Sequence, residues 1–180
     1  MSRMRIRLPL TRRITAGALF FLSTFVFGAA ALAQDRLTRS ERLNDFTSSG
    51  WDFKTGTSLA DLNRLGKVLR QKASTRPNPH VRGQMDESRV LFFDGLIIDA
   101  YFPAKNYSDL LLSSVTITKR KWPVKYGLRV GASRTAVTQS LGDPNEKTHS
   151  TAKYCGVSSC VIFSFQNGYI SKITWDLYLD

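Results

Sequence analysis

Residues that build metal and redox sites are scarce in this sequence. Its 180 residues include two cysteines, Cys155 and Cys160, and two histidines, His80 and His149. A zinc site would need further ligands, and a thiol redox site usually shows a Cys-x-x-Cys motif ahead of a helix. The chain also lacks a glycine-rich phosphate loop. We therefore expect no metal and no cofactor.

Acidic residues are absent from the first 33 positions. The opening stretch MSRMRIRLPLTRR carries five arginines, and an apolar run from Ile14 to Ala33 follows it. Together with the small-x-small pattern at positions 31–33, this predicts a secretory signal peptide over residues 1–33, cleaved after Ala33. A retained anchor is the alternative, since the run is nearly long enough to span a bilayer. No cysteine at the cleavage point supports a lipid anchor.

The charge balance narrows the choice of partner. Removing residues 1–33 takes away five of the 26 Lys and Arg residues and none of the 14 Asp and Glu residues, so the formal charge falls from +12 to +7. A basic protein favours acidic partners. We expect an envelope or secreted protein, with anionic lipid or glycan as the alternative. Export and the lack of a basic helix or an aromatic RNA-binding signature argue against nucleic acid.

Past the signal segment, residues 34–54 are predicted to form an N-terminal arm or short helix, with Leu37, Leu43 and Phe46 on one face. A first α+β unit is predicted over residues 55–118. Its helix begins at Thr57 or Ser58 and places leucines at helical spacing through position 69. Residues 73–88 read as a loop. Three strands follow at 90–93, 96–102 and 110–118, with Asp94-Gly95 as a hairpin turn.

The second half of the chain repeats this order. A basic linker, residues 119–129, leads to a second α+β unit over residues 130–180. Ser133 is predicted to cap its helix, which ends at Gly142. Strands are predicted at 148–155, 160–166 and 169–179, the last two joined by Asn167-Gly168. Gly56 and Gly131 are 75 residues apart and start similar segments. This favours two tandem helix-plus-three-strand units with helices packed on an antiparallel sheet.

The second copy carries the motif Gly-x-Ser-x-x-x-Val-x-x-x-Leu-Gly-x-Pro, here with Gly131, Ser133, Val137, Leu141 and Pro144, followed by strands ending in Phe-x-Asn-Gly-x-Ile-x-x-Ile. This pattern resembles the repeat of β-lactamase inhibitor proteins. It is also similar to the outer-membrane assembly lipoproteins of the SmpA/OmlA type. The resemblance covers roughly residues 55 to 180 and implies a helical layer on an antiparallel sheet whose other face binds protein. Unlike the lipoproteins, this chain has two copies and no lipid-bearing cysteine.

Cys155 and Cys160 flank the turn-forming sequence GVSS between two predicted strands. A four-residue hairpin loop sets its flanking residues opposite one another, within the reach of a disulfide. Exported proteins meet an oxidising environment. We predict a Cys155–Cys160 disulfide that fixes the hairpin, with a redox or zinc site as alternatives.

Strand alternation predicts which sheet face is free to bind. In the last two strands Val161, Phe163 and Phe165, together with Tyr169, Ile173, Trp175 and Leu177, are expected to lie under the helix. The opposite face is the candidate binding surface, and tyrosine among small hydroxyl residues suits protein recognition. A solvated sheet face has a similar composition. The candidate binding residues are Ile97, Asp99, Tyr101, Thr116, Lys172, Thr174, Asp176 and Tyr178.

A second candidate surface is the basic patch Lys119, Arg120 and Lys121, next to Trp122. Basic residues interleaved with aromatics can hold an acidic partner, anionic lipid or glycan. Trp122 itself is expected to pack across the junction between the two units.

Catalytic motifs are weak in this sequence. His149 is expected in a loop, since an oxidised Cys155 cannot act as its nucleophile partner. Ser133 is explained as a helix cap. Asp94 suits a turn, and Asp86 and Glu87 are expected to be solvated.

We therefore predict a non-catalytic, periplasmic or secreted protein-binding module, an inhibitor of an envelope enzyme or an assembly scaffold. The alternatives are an exported cell-wall hydrolase using Asp86, Glu87 or Asp99, and a basic adapter for anionic lipid or glycan.

Overall fold

Helices pack on one face of a single antiparallel sheet. The computed structural model describes residues 37–56, 58–78, 80–103 and 110–177. Within these ranges lie three α-helices and eight strands: α1 (Arg39–Ser49), α2 (Leu59–Asn63), β1 (Arg70–Pro77), β2 (Met85–Phe93), β3 (Leu96–Phe102), β4 (Leu111–Ile117), α3 (Arg134–Leu141), β5 (Glu146–Lys147), β6 (Thr151–Cys155), β7 (Ser159–Gln166) and β8 (Tyr169–Leu177). The predicted signal peptide lies outside the described residues. None of the helices in these ranges is long and apolar enough to cross a membrane.

The sheet has the strand order β1-β2-β3-β4-β8-β7-β6-β5. Strands β1 to β4 form one antiparallel meander, and β5 to β8 form another. The two meanders meet where β4 pairs with β8, with Thr116 opposite Thr174 and Val115 opposite Trp175. The junction therefore joins segments far apart in the chain into one continuous surface.

The core lies between the sheet and the helices. Alternate strand residues point to this side, among them Ile98, Val115, Phe163 and Trp175, all fully buried. This is the period-2 pattern expected of a sheet with one covered face. The predicted inward set Val161, Phe163 and Phe165 is confirmed.

Helix α1 is part of this core. It starts at a capping box in which Thr38 accepts a hydrogen bond from the Glu41 backbone at 3.2 Å and Glu41 accepts one from the Thr38 backbone at 2.7 Å. The Phe46 ring lies 5.8 Å from that of Phe163 and 5.5 Å from that of Trp175. Trp175 Nε1 also donates to the Phe46 carbonyl at 2.8 Å. Residues predicted as an arm or short helix thus form a helix fixed to the sheet.

Residues between the two meanders are also tied to α1. Lys125 Nζ donates to Asp45 Oδ1 at 2.7 Å, and the Tyr126 hydroxyl donates to Asp45 Oδ2 at 2.7 Å. Burial and the hydrogen bond to Asp45 raise the pKa of Tyr126 to about 12. Trp122 packs on Phe53, with ring centroids 5.3 Å apart. Trp122 is packed as expected, but the rings it contacts, Phe53 and Phe93, belong to the N-terminal segment and to the first predicted unit, so packing across the junction of the two units stays a prediction.

Two predictions for the first half are wrong. The predicted helix through Leu69 ends at Asn63, because Gly66 adopts a positive φ of 146° and the Leu69 amide already bonds to the Phe92 carbonyl at 2.8 Å. Much of the segment predicted as a loop, residues 73–88, belongs to the β1–β2 hairpin. Every residue of β1 is exposed, so its side chains carry no periodic signal.

In the second half the predicted elements are present. Ser133 caps α3 by accepting from the Ala136 backbone at 3.2 Å. The Cys155–Cys160 disulfide is confirmed, and it joins directly paired residues of β6 and β7 with Cα atoms 4.1 Å apart. One side chain was predicted on the wrong face of the sheet: Tyr169 is 57% exposed, and Ile170 is buried instead. The register shifts between Ser164 and Phe165, so that Phe165 pairs with Ile170 and the alternation of β8 is reversed there.

Candidate functional site

The sheet surface opposite the helices, here called the outer face, consists of rows of cross-strand neighbours. The central row crosses the whole sheet, a distance of about 34 Å at the usual strand spacing. It contains, in spatial order, Arg70, Phe92, Ile97, Thr116, Thr174, Ile162, Lys153 and Glu146. Its inner members are half-buried, with apolar side chains on both sides of two threonines. This row is the centre of the surface.

The two meanders are linked at the middle of the central row. Thr116 Oγ1 donates to Thr174 Oγ1 at 3.2 Å across the β4–β8 junction. At one end of the row the Arg70 guanidinium lies 4.0 Å from the centroid of the Phe92 ring. Such stacking holds the cation in place while leaving its charge available.

A second row runs parallel to the first and carries two carboxylates. It contains Lys72, Val90, Asp99, Ser114, Asp176, Cys160 and Cys155. Asp176 is exposed, whereas Asp99 is half-buried. The disulfide closes the β6–β7 end of this row, so it fixes the hairpin that borders the outer face.

Asp99 places an unsatisfied polar atom on the outer face. Its Oδ1 atom is buried and has no hydrogen-bond partner among the described residues. Burial raises the pKa of this carboxyl above its usual value, and the charge of Arg76 opposes the shift only in part. A carboxylate in this position is costly unless a donor reaches it.

Asp86 lies near the start of β2, on the strand next to that of Asp99, and is hydrogen-bonded through both oxygens. The expectation that it is solvated is wrong, because the residue is 1% exposed. Asn78 Nδ2 donates to its Oδ2 at 2.7 Å, Gln84 Nε2 donates to its Oδ1 at 2.8 Å, and the Tyr101 hydroxyl donates to Oδ2 as well. Because the Asp86 carboxylate accepts this hydrogen bond, the pKa of Tyr101 is raised. The carboxylate therefore fixes the hairpin loop to β3.

The structure brings most of the predicted binding residues together. Ile97, Thr116 and Thr174 lie in the central row, while Asp99 and Asp176 lie in the second. Tyr101 follows Asp99 along β3, and exposed Lys172 pairs with Ser164 on β7. Tyr178 lies outside the described residues.

Sequence reasoning missed the contribution of the first two strands to this surface. The outer face also includes Phe92 and Val90 of β2 and Arg70, Lys72 and Arg76 of β1. For β2 the sequence did contain a strand signal. Its outer-face residues Asp86, Ser88, Val90 and Phe92 alternate with residues that include buried Leu91 and Phe93. For β1 the side chains give no comparable signal.

The predicted basic patch is partly neutralised. Lys121 Nζ lies 2.9 Å from Asp94 Oδ2, and Lys119 bonds to the other oxygen of the same carboxylate. These bonds lower the pKa of Asp94. Arg120 is exposed beside them. The three residues lie beyond β4, outside the two rows.

Two of the groups considered for catalysis, Glu87 and His149, lie away from the carboxylates Asp86 and Asp99. Glu87 pairs with inward-facing Phe102, so it points to the opposite side of the sheet from Asp86. Glu87 instead forms an ion pair with Arg89 at 2.6 Å. His149 is exposed in the β5–β6 turn. Within the described ranges, no group of three or more His, Cys, Asp or Glu side chains is placed to hold a metal ion.

Comparisons with family models, curated proteins and solved structures found no match.

The unpaired oxygen of Asp99 leads to a stability prediction. The unfolded chain ionises this carboxyl near pH 4, whereas the folded protein holds the proton to higher pH. The free energy of unfolding should therefore fall as the pH rises from the pKa of this carboxyl in the unfolded chain to its higher pKa in the folded protein. We expect Asp99→Asn to raise the free energy of unfolding by about 1 kcal/mol at neutral pH, and by much less at about pH 3. Urea unfolding at both pH values measures this.

Asp176→Asn is the matched control, an exposed carboxylate in the same row. Its effect should stay within about 0.5 kcal/mol. An Asp99→Asn gain of equal size at both pH values would show that the charge of Asp99 is not what destabilises the folded protein.

Proposed function

We propose that the protein is an exported, non-catalytic protein-binding module whose binding surface is the outer face of the sheet. The unpaired Oδ1 of Asp99 carries this proposal. A buried acceptor on a candidate binding surface is costly in the free protein, and a donor from a docked partner would satisfy it.

The composition of the outer face supports a protein as the partner. Half-buried Phe92, Ile97 and Ile162 form an apolar centre together with Thr116 and Thr174. Interface centres combine apolar side chains with few charges, and a polar rim surrounds them. A surface about 34 Å across is also wide enough for an interface of ordinary size.

Charge is arranged unevenly over the outer face. Asp99 and Asp176 lie on the inner strands β3 and β8, the latter of which also carries Lys172, whereas the charged residues of the edge strand β1 are all basic, Arg70, Lys72 and Arg76. The best complement is a partner that presents a Lys, an Arg or backbone N–H groups at the centre and acidic groups toward β1. Inhibition of an envelope enzyme and a scaffold role in envelope assembly are both compatible with such binding.

Export is part of this proposal. The basic start and apolar run of residues 1–33 have the form of a secretory signal, and disulfides persist in oxidising compartments. The Cys155–Cys160 bond supports that compartment.

We also infer that the fold is a tandem duplication similar to the β-lactamase inhibitor protein and SmpA/OmlA repeats. Each proposed unit has a helix followed by four strands, α2 with β1 to β4 and α3 with β5 to β8. The mirrored strand order about the β4–β8 junction supports this interpretation. The four strands in each proposed unit replace the three per unit expected from the sequence.

A charge placed in the central row tests the proposed surface. Thr174→Arg inserts a long cation at the β4–β8 junction and should abolish retention of the partner in a pull-down from envelope extract of the organism of origin. Gln139→Arg, on the exposed side of α3, is the matched control and should retain it. A protein captured equally by wild type and both variants would overturn the outer-face assignment.

A further inference from the structure

Strand β1 leaves a long, accessible edge on the sheet. All eight residues of β1, Arg70–Pro77, are exposed, and among the residues that the structure describes they pair on one side only, with β2. At the usual rise per residue this edge is about 26 Å long. The opposite edge is formed by β5, which has two residues. Exposed edges of this length are templates for pairing with another strand.

The main-chain groups that face away from β2 can be identified. The Asn78 amide bonds to the Gln84 carbonyl at 2.8 Å, and hydrogen-bonded pairs in an antiparallel ladder recur at every second residue. The even-numbered residues of β1 therefore bond to β2. The N–H groups of Gln71, Ala73 and Thr75 point outward. Pro77, which has no N–H, occupies the next outward position, as is usual for proline on an edge strand.

The side chains of this edge are basic and contain no acid. Arg70, Lys72 and Arg76 share its outer-face side. The two arginines are held over aromatic rings, Arg70 at 4.0 Å from the Phe92 centroid and Arg76 at 4.8 Å from that of Tyr101. Their guanidinium groups are thus ordered before any partner arrives.

Charge also argues against a second copy of the chain as the occupant. Symmetrical antiparallel pairing of two β1 strands about Ala73 would set Arg70 of one copy opposite Arg76 of the other. Like charges in directly opposed positions are destabilising. The same charges attract a strand that carries carboxylates at alternate positions.

We propose that the β1 edge is a second binding site, at which an extended acidic segment of another protein adds as a further strand. Main-chain bonds to Gln71, Ala73 and Thr75 supply the pairing, and Arg70, Lys72 and Arg76 select acidic side chains. This site shares Arg70, Lys72 and Arg76 with the rim of the outer face, but its main-chain pairing does not depend on docking there.

An eight-residue peptide alternating glutamate with valine, blocked at both ends, is the probe. Fluorescence anisotropy should show that it binds the protein, whereas the peptide with lysine in place of glutamate does not. Amide hydrogen exchange followed by NMR should slow at Gln71, Ala73 and Thr75 on binding. Peptide binding without added protection at these amides would overturn strand addition in favour of simple charge attraction.

Ala73→Pro removes one outward N–H and leaves the residues that bond to β2 unchanged. It should weaken peptide binding roughly five- to tenfold, the effect of one lost hydrogen bond. Ala73→Thr keeps the N–H and should bind like the wild type. If Ala73→Pro shows the wild-type unfolding transition and binds the peptide equally well, the edge is not the site.

Two further variants test the selection of acidic strands and separate the β1 edge from the outer face. Lys72→Glu combined with Arg76→Glu should abolish binding of the glutamate peptide, and unchanged binding would contradict the selection of acidic strands. Thr174→Arg should bind the peptide normally, because it lies in the central row away from the β1 edge. A failed pull-down and a failed peptide experiment are therefore distinguishable.

Discussion

Phe46→Ala is expected to lower the free energy of unfolding by about 3–5 kcal/mol. Phe46 is fully buried, and its ring packs against Phe163 and Trp175, the largest side chain of the core. Truncation leaves a cavity beneath α1 that the rigid sheet cannot fill. Equilibrium urea unfolding, followed by circular dichroism and by tryptophan fluorescence, measures the loss.

Leu37→Ala is the matched control for this variant. Leu37 precedes the same helix but is 39% exposed, so its truncation should change the free energy of unfolding by no more than about 0.5 kcal/mol. If Phe46→Ala were equally mild, α1 would be an accessory arm. The sheet would then fold without it.

The elements that sequence reasoning predicted well are those with one covered face. Buried and half-buried residues alternate from Leu96 to Phe102, and Ser133 begins α3 with a local hydrogen bond. These signals are local, so a single segment contains them. The Cys155–Cys160 bond belongs to the same class, since the two residues flank one short turn.

The parts that could not be predicted depend on contacts between different segments. Strand β1 is exposed on both sides and forms through main-chain pairing with β2. The burial of Asp86 requires Tyr101 of the next strand and Asn78 across the hairpin, in addition to nearby Gln84. The composition of a single segment does not indicate that these hydrogen bonds will form.

The candidate binding face was predicted strand by strand, but its layout was not. Alternation places Ile97 and Asp99 on one side of β3, and Thr174 and Asp176 on one side of β8. Only the pairing of β4 with β8 makes these strands parts of one surface, with Thr116 bonded to Thr174 at a separation of 58 residues. The order of the two meanders is a tertiary property, set by which edges meet.

Asp86→Ala is expected to lower the free energy of unfolding by about 2–3 kcal/mol, because donors from Asn78, Gln84 and Tyr101 lose a shared acceptor at a buried position. The loss should be concentrated in the β1–β2 connection, where Asn78 Oδ1 also accepts from the backbone of His80 at 2.7 Å and of Val81 at 2.8 Å. Urea unfolding gives the total, and hydrogen exchange across residues 78–84 locates it.

Two variants serve as controls for this result, Asp176→Ala and Asp86→Asn. Asp176 is exposed on the same face, so its removal should cost no more than about 0.5 kcal/mol. Asp86→Asn keeps the shape and one acceptor oxygen, so its cost should lie between those of the two alanine variants. If Asp86→Ala were as mild as Asp176→Ala, the carboxylate would have no structural role. Its burial would then favour the hydrolase alternative, because a shielded carboxyl that the fold does not need is a candidate acid or base.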